Sequence, residues 1–283
     1  MCGIVGIIGN QPVAPLLMEG LRRLEYRGYD SAGIATLRDG SIERRRSEGK
    51  IINLEFRLDA QPVKGNIGIG HTRWATHGVP SETNAHPHAT SRVAVVHNGI
   101  IENFQKLREE LTEHGSQFVT DTDTEVIVHL VSHYLNKGAN PKEAVALSLP
   151  QLEGAFAIVL IFAGEQDLMI GARVGSPLAI GFGDGEMYIG SDALALAPLT
   201  QKLCYLEDGD WAVIRRDGPE IFDNNHNPIL RPVVQTAMSG AMIGKGDFRH
   251  FMLKEIYEQP TVIGETLNTM LNPVTRTITL PPM

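Results

Sequence analysis

The chain has 283 residues, of which 42% are hydrophobic and 20% charged, and its formal net charge is -8 at pH 7. This composition predicts a globular protein with a sizeable core, and its acidic balance argues against a nucleic-acid or anionic-membrane binder. The two cysteines, Cys2 and Cys204, are too few for a disulfide framework or a four-cysteine zinc site. Because the sequence also lacks a membrane-span pattern and a signal-peptide pattern, we expect a cytoplasmic protein.

The N-terminal part of the chain is predicted to mix strands and helices. Residues 2–9 form an apolar, β-branched run that ends in glycine, which is typical of a buried strand. Apolar residues at helical spacing follow between Val13 and Leu24, and they predict the first helix. Further strands, separated by loops, are predicted at residues 29–37, 64–72 and 92–97.

Three more helices and a strand-rich region are predicted next. The second helix begins near Phe104 and stops at His114-Gly115, and the third opens with a capping-box pattern at residues 122–125. The fourth starts at Pro141 and ends near Pro150. Short strands follow at residues 155–162, 168–174, 178–182, 187–190 and 210–216. This order predicts an α+β fold in which helices pack on sheets.

The character of the sequence changes near residue 223. A turn-rich segment, residues 223–228, and a glycine-rich one, residues 239–246, precede a helical pattern at residues 248–270 that is interrupted at Pro260. We therefore predict a domain at residues 1–222, a linker at 223–247 and the beginning of a further domain at 248–283.

Cys2 is the first candidate for chemistry. Removal of Met1 would leave a thiol and a free α-amine on one residue, and an amine with a pKa of about 8 can take the thiol proton. One residue would then supply both nucleophile and base. The alternative is a small residue that merely follows the start codon, since one-residue motifs match often by chance.

Half of the ten histidines are crowded into one stretch of the chain. They are His71, His77, His86, His88 and His97. A metal site is one hypothesis, but no Asp, Glu or Cys joins them at a recognised ligand spacing. We prefer the interpretation that these histidines are hydrogen-bonded in loops around a pocket, with no metal.

Three more segments carry polar groups suited to a small substrate. Arg73 follows a strand and could clamp a carboxylate beneath Trp74, although a surface arginine and a core tryptophan are equally compatible with the pattern. The Asn98 amide and the Gly99 N–H could form an oxyanion hole, but Asn-Gly is also a common turn. Asp123 stands at a helix start, where capping is the usual role.

Together these segments resemble the class II glutamine amidotransferases. The start of the chain, Met-Cys-Gly-Ile-Val-Gly, carries the resemblance to the class. Within it, the chain resembles the glutamine–fructose-6-phosphate aminotransferase family at residues 24–33, 71–78, 84–88, 97–103, 122–125 and 254–260. The resemblance covers essentially the whole chain. It implies the N-terminal-nucleophile hydrolase fold, a four-layer αββα sandwich of antiparallel sheets.

The resemblance also implies a reaction and a set of roles. It implies hydrolysis of L-glutamine to glutamate and ammonia, with no metal or organic cofactor. In the family pattern, Cys2 is the nucleophile, and Asn98 and Gly99 stabilise the oxyanion. Arg73 holds the substrate carboxylate and Asp123 holds the substrate ammonium. The other pocket residues are Trp74, as a lid and gate, and Thr76 and His77, in the lining.

The family continues into a domain of two sugar-isomerase modules, and we expect this sequence to end where that part begins. The resemblance therefore implies that ammonia reaches fructose 6-phosphate only through that further domain, which makes glucosamine 6-phosphate for amino-sugar synthesis (UDP-N-acetylglucosamine, cell wall). A homodimer or higher oligomer is expected of the full-length enzyme, with no nucleic-acid or membrane partner. Arg27 is expected near the mature N-terminus. A non-enzymatic glutamine sensor and a histidine-based metal-binding module remain as alternatives.

Overall fold

The computed structural model describes residues 2–236, 248–272 and 277–278. The chain divides into two compact units, Met1–Gly240 and Ala241–Met283. Among the described residues, no helix combines the length and the apolar character that crossing a membrane requires.

The first unit contains two antiparallel sheets, whose strands are numbered in chain order. They are β1 (Gly3–Ile8), β2 (Ser31–Arg38), β3 (Ser41–Glu48), β4 (Ile67–Arg73), β5 (His88–Ala89), β6 (Val93–Gly99), β7 (Phe156–Phe162), β8 (Met169–Val174), β9 (Ala179–Phe182), β10 (Met187–Gly190), β11 (Lys202–Tyr205), β12 (Trp211–Arg215), β13 (Gly218–Phe222), β14 (Pro228–Ile229) and β15 (Val233–Gln235). The first sheet has eight strands in the order β15-β11-β9-β10-β1-β4-β2-β3, and the second has seven in the order β14-β13-β12-β8-β7-β6-β5.

Helices cover the outer faces of both sheets. They are α1 (Ala14–Arg23), α2 (Ile51–Ala60), α3 (Phe104–Glu113), α4 (Glu125–Asn136), α5 (Pro141–Ser148) and the short α6 (Ala193–Leu196). Buried side chains of α1 and α2 pack on the first sheet, and those of α3, α4 and α5 pack on the second. A third cluster fills the space between the sheets. The layers are therefore helix, sheet, sheet and helix, as predicted.

The central strands are apolar on both faces because each is covered on both sides. On β1, Ile4 and Ile8 belong to the cluster between the sheets, whereas Val5 and Ile7 pack with the helices. Side chains alternate in the same way along β7. A strand buried on both faces is a continuous apolar run rather than an alternating one. This property made the N-terminal and 155–162 strands predictable.

Two elements occupy residues 41–60, where the sequence predicted only loops. The strand β3 pairs along its whole length with β2 and forms one edge of the first sheet. It carries Arg44, Arg45 and Arg46, and charged side chains are common on sheet edges, where they discourage pairing with other chains. Because its sequence is mostly charged, β3 was not recognised as a strand by its apolar residues.

The capping box predicted at the start of α4 is wrong. Thr124 is the N-cap residue of α4 and makes no side-chain capping bond. The Thr122 hydroxyl instead lies 3.1 Å from His88 Nε2. The Glu125 carboxylate accepts the main-chain N–H of Thr120 at 2.8 Å. The Thr122 and Glu125 side chains therefore bind neighbouring segments of the chain and do not cap the first main-chain N–H groups of α4.

The predicted linker, residues 223–247, contains structure in its first part. There β14 pairs with β13 and β15 pairs with β11, so both strands extend the sheets. The glycine-rich segment 239–246 lies outside the described residues. In the second unit, α7 (Phe251–Met270) continues through Pro260, where an interruption was predicted. Two short strands, β16 (Leu271–Asn272) and β17 (Thr277–Ile278), pair antiparallel.

Candidate active site

The candidate site lies where strand ends from both sheets meet. Cys2 immediately precedes β1, and Arg73 is the last residue of β4. Because β1 and β4 are antiparallel neighbours, the start of one lies beside the end of the other. The Trp74 N–H consequently donates to the Cys2 sulfur at 3.2 Å. Asn98, near the end of β6 in the second sheet, donates from Nδ2 to the Cys2 carbonyl oxygen at 3.3 Å.

The surroundings of Cys2 hold its thiol in the protonated form. Burial raises the pKa of the Cys2 thiol, and the Trp74 N–H and the Arg73 charge only partly oppose this effect. A thiol of this kind needs a base before it can attack a substrate. Arg27 lies nearby as expected, since its Nη1 is 3.4 Å from the Cys2 carbonyl oxygen.

Asn98 and Gly99 do not form a simple turn, because both belong to β6 and pair with β7. The Asn98 side chain is 8% exposed, and its Oδ1 lies 2.9 Å from His71 Nε2. Gly99 has φ of 119°, and a Cβ there would stand 2.0 Å from the Ala155 carbonyl oxygen. Only glycine fits this position, which keeps the main chain beside Asn98 in its present path.

Arg73 is a buried arginine, 3% exposed, so the surface alternative is wrong. Its Nη2 donates to the carbonyl oxygens of His77 and Gly78, the latter at 3.0 Å. Its Nη1 finds no hydrogen-bond partner within the described part of the chain and lies 4.0 Å from Asp30 Oδ1. Burial lowers the pKa of Arg73, and the charges of Asp30 and Asp123 act in the opposite direction. One guanidinium nitrogen of this buried arginine therefore still lacks an acceptor among the described residues, and a carboxylate is the acceptor that suits a guanidinium best.

Asp123 does not cap α4. Its Oδ2 accepts the main-chain N–H of Ile101 at 2.9 Å and lies 4.0 Å from His97 Nδ1. The carboxylate is buried, and its charge acts on Arg73. The two opposite charges that the resemblance assigns to the ends of the substrate thus lie in one region of the protein.

The loop after β4 carries the remaining predicted residues. Trp74 is 53% exposed, so it is not a core residue. Its ring packs on Gly28, where a Cβ would stand 2.6 Å from Trp74 Cζ3. Thr76 is exposed. His77 is half-buried, with its ring edge-on to Phe104 at a centroid distance of 5.2 Å.

Four of the five crowded histidines are buried and packed together, and three of them are not in loops. His71 lies on β4, His88 on β5 and His97 on β6. The His86 ring has its centroid 4.2 Å from that of His71 and 4.7 Å from that of His88. Burial lowers the pKa of each of these four histidines, and it holds the pKa of His71, His86 and His88 well below the usual range. Within the described ranges, no group of three or more His, Cys, Asp or Glu residues is placed to hold a metal ion.

Sequence reasoning gave no role to two residues that shape the site. Asp30 accepts the main-chain N–H of Ala75 at 2.5 Å and faces Arg73, so it holds the loop after β4. His71 was singled out only as one of the crowded histidines, yet it contacts Asn98 directly. Asp30 could not be found from the sequence, because a single carboxylate so far from Arg73 forms no recognisable motif with it. His71 could have been found, because it lies on a predicted strand at a position that faces the interior.

Comparisons with known proteins agree with this geometry. A family model described as "Glutamine amidotransferase domain" matches residues 71–198. The glutamine–fructose-6-phosphate aminotransferase of Bradyrhizobium diazoefficiens is 59% identical over 99% of this chain and 46% of its own length. The enzyme of that name from Zymomonas mobilis is 56% identical over 99% of this chain and 46% of its own length. The chain thus spans about half the length of the curated relatives it matches.

Two solved structures share the fold. Glutamine phosphoribosylpyrophosphate amidotransferase from B. subtilis, complexed with ADP and GMP, aligns with a TM-score of 0.69 at 29% identity, over 80% of this chain and 50% of that one. A structure described as the allosteric regulatory enzyme of purine biosynthesis aligns with a TM-score of 0.66 at 30% identity, again over 80% and 50%.

The fold and the comparisons define a glutamine amidotransferase domain with the N-terminal-nucleophile hydrolase architecture. The chain carries a glutamine amidotransferase domain. Over 99% of its length it is similar to the glutamine–fructose-6-phosphate aminotransferases, at 59% and 56% identity to the two relatives named above.

Proposed function

We propose that this chain hydrolyses L-glutamine to L-glutamate and ammonia, with Cys2 as the nucleophile. The observation that carries the proposal is the meeting of three groups at one end of the sandwich. These are the Cys2 thiol, the Asn98 amide within 3.3 Å of the Cys2 carbonyl oxygen, and the buried Arg73, one nitrogen of which has no hydrogen-bond partner among the described residues.

The chemistry proceeds through a thioester. The α-amine of Cys2, exposed by removal of Met1, takes the thiol proton, and the sulfur attacks the side-chain amide carbon of glutamine. Asn98 Nδ2–H and the Gly99 N–H stabilise the oxygen that gains negative charge; one donor of this kind is worth about 3 kcal/mol. The C–N bond breaks as the nitrogen receives a proton, and ammonia leaves. Water then displaces the sulfur, which releases glutamate and restores the thiol.

Selection of a free amino acid follows from opposite charges at the two ends of the substrate. Arg73 Nη1 pairs with the α-carboxylate, and Asp123 pairs with the α-ammonium. A glutamine inside a peptide lacks both charges and leaves these buried groups unpaired, which is costly. In this proposal Trp74 covers the bound substrate, and Thr76 and His77 line its pocket.

Further steps belong to the part of the relatives that this chain does not span. The relatives are named glutamine–fructose-6-phosphate aminotransferases, and this name gives glutamine and fructose 6-phosphate as their substrates. We therefore propose that, in the whole oligomeric enzyme, ammonia passes to fructose 6-phosphate held by a sugar-isomerase domain that begins near residue 248, for cytoplasmic amino-sugar synthesis. Exposed apolar side chains along α7, such as Ile256 and Tyr257, support such a continuation.

The test compares the two cysteines of the chain. Cys2→Ala is expected to abolish glutamate release from glutamine. Cys204→Ala is the matched control, because Cys204 is a buried thiol on β11 with no proposed role in the reaction. An electrophilic glutamine analogue should modify Cys2 alone, as mapped by mass spectrometry. Glutamate release by Cys2→Ala at the parent rate would contradict the proposal, and glutamine binding without turnover by the parent would favour the sensor alternative.

A further inference from the structure

His71 joins the two sheets at the nucleophile. It lies on β4, where its main chain is opposite Ile4 of β1, and its Nε2 is 2.9 Å from Asn98 Oδ1 on β6 in the other sheet. His71 is completely buried and Asn98 nearly so. A hydrogen bond between buried side chains of separate sheets fixes one sheet against the other at that point.

The neighbours of Asn98 determine which way its amide points. The Cys2 carbonyl oxygen, 3.3 Å from Asn98 Nδ2, can only accept a hydrogen bond, so the amide nitrogen must face it. The amide oxygen then faces His71 and, since it can also only accept, it requires a proton on His71 Nε2.

We propose that His71 is a positioning residue for the oxyanion hole: its Nε2–H holds the oxygen of the Asn98 amide so that the nitrogen points towards the reacting centre. Asn98 Nδ2 carries two protons. One is donated to the Cys2 carbonyl oxygen, and the other remains for the substrate oxygen. This inference rests on the proposed glutamine hydrolysis and adds to it a residue that never touches the substrate.

The neighbouring histidines have different partners. His86 Nε2 and His97 Nδ1 each lie 2.9 Å from the Thr124 hydroxyl, and His88 Nε2 lies 3.1 Å from the Thr122 hydroxyl.

Burial outweighs the Asn98 hydrogen bond and lowers the pKa of His71 to about 3. The ring therefore stays neutral at working pH and acts as a fixed donor rather than as an acid.

Without His71 the Asn98 amide loses the partner of its oxygen. A rotation of half a turn about the last side-chain bond would then bring the oxygen towards the developing negative charge. This effect falls on the transition state, where the oxyanion exists, and much less on the bound substrate. The expected sign is a lower kcat with KM nearly unchanged.

The test uses His71→Phe, His71→Gln and the control His88→Phe, which removes a buried histidine of the same cluster that bonds Thr122 instead. His71→Phe should lower kcat for glutamate release by about 10-fold to 100-fold, with little change in KM. His71→Gln should recover most of the rate, since its amide nitrogen reaches a position similar to that of Nε2. His88→Phe should keep the parent kcat, even where it lowers the melting temperature as much as His71→Phe does.

A double-mutant cycle with Asn98→Ala shows whether His71 acts through Asn98. If it does, His71→Phe should have little further effect on kcat in the Asn98→Ala background. Equal effects in both backgrounds would overturn the inference. A nitrogen NMR spectrum of the folded protein, assigned with His71→Gln, should show His71 as the Nε2–H tautomer, and the Nδ1–H tautomer would also overturn it. A parent chain without glutaminase activity overturns the proposed function itself, whereas an active parent with a fully active His71→Phe overturns only the role of His71.

Discussion

The sharpest test of the substrate anchors is Asp123→Asn. Asp123 accepts one main-chain N–H, from Ile101 at 2.9 Å, and an asparagine oxygen can accept the same bond. The substitution therefore removes the charge and keeps the contact. Truncating one partner of a desolvated charge pair costs about 2–5 kcal/mol, which corresponds to a loss of about 25-fold to several thousand-fold in kcat/KM. Because the ammonium is held in both ground and transition states, most of the loss should appear as a higher KM.

The assay is steady-state glutamate release over a range of glutamine concentrations, with a thermal melt of each variant. Asp121→Asn is the control, since Asp121 is an exposed carboxylate two positions earlier that binds the Asn84 amide at 3.3 Å. Asp123→Ala should differ from Asp123→Asn by also losing about 1–3 kcal/mol of stability, because the Ile101 N–H is left unpaired. If Asp123→Asn keeps a KM within about twofold of the parent value, a difference of only about 0.4 kcal/mol, the anchoring role is wrong for this chain.

Three other predictions follow from the same structure. The 283-residue chain alone should release glutamate from glutamine but form no glucosamine 6-phosphate with fructose 6-phosphate, as separate product assays can show, because it spans 46% of the relative's length; amino-sugar formation would refute this. A variant that keeps Met1 should lose glutaminase activity, since its Cys2 nitrogen is an amide rather than a base; intact-mass analysis verifies the N-terminus, and full activity would count against the α-amine. Although burial raises it, hydrogen bonds from His129, Val119 and Thr120 lower the pKa of Glu125 to about 2, whereas an unfolded glutamate has a pKa of about 4.3. Glu125→Gln should therefore be less stable than the parent in urea at pH 7, and the gap should close as the pH falls from about 4.3 towards about 2; a gap independent of pH would refute it.

The strands at the centre of the sandwich could be predicted because burial on both faces leaves a plain apolar signal. Residues 2–9 and 155–162 were predicted as strands, and they correspond to β1 and β7. The edge strand β3 could not be found in that way, since one side of it lacks a neighbouring strand and its sequence is dominated by arginine. Such a strand is recognised only by its pairing with β2, and this pairing can be seen in the folded structure but not in the sequence.

Some residues of the candidate site could be predicted from their residue type and sequence neighbours, whereas others are important only because of where the fold places them. Cys2, Arg73 and Asn98 were predicted from segments whose residue types suit the chemistry, and the structure brings them together. Asp30 and His71 act through partners that lie far along the chain. Their contacts exist because β2 and β4 pair in one sheet and β4 faces β6 across the sandwich, so a local pattern cannot reveal them.

The position of the site follows from a change of polarity along the inner faces of two strands. On β4, the inward-facing residues run from Ile67 and Ile69 to His71, and on β6 they run from Val96 to Asn98. A polar side chain buried between sheets is costly unless it finds a partner. The first polar residue of each face meets the other at 2.9 Å, so each strand satisfies the other where the apolar packing stops. The apolar contacts set the distance between the sheets, and the hydrogen bond then sets the direction of an amide beside Cys2, the proposed nucleophile. The packing of the two sheets thus fixes the position of the His71–Asn98 pair, and that pair fixes the orientation of the Asn98 amide in the proposed site.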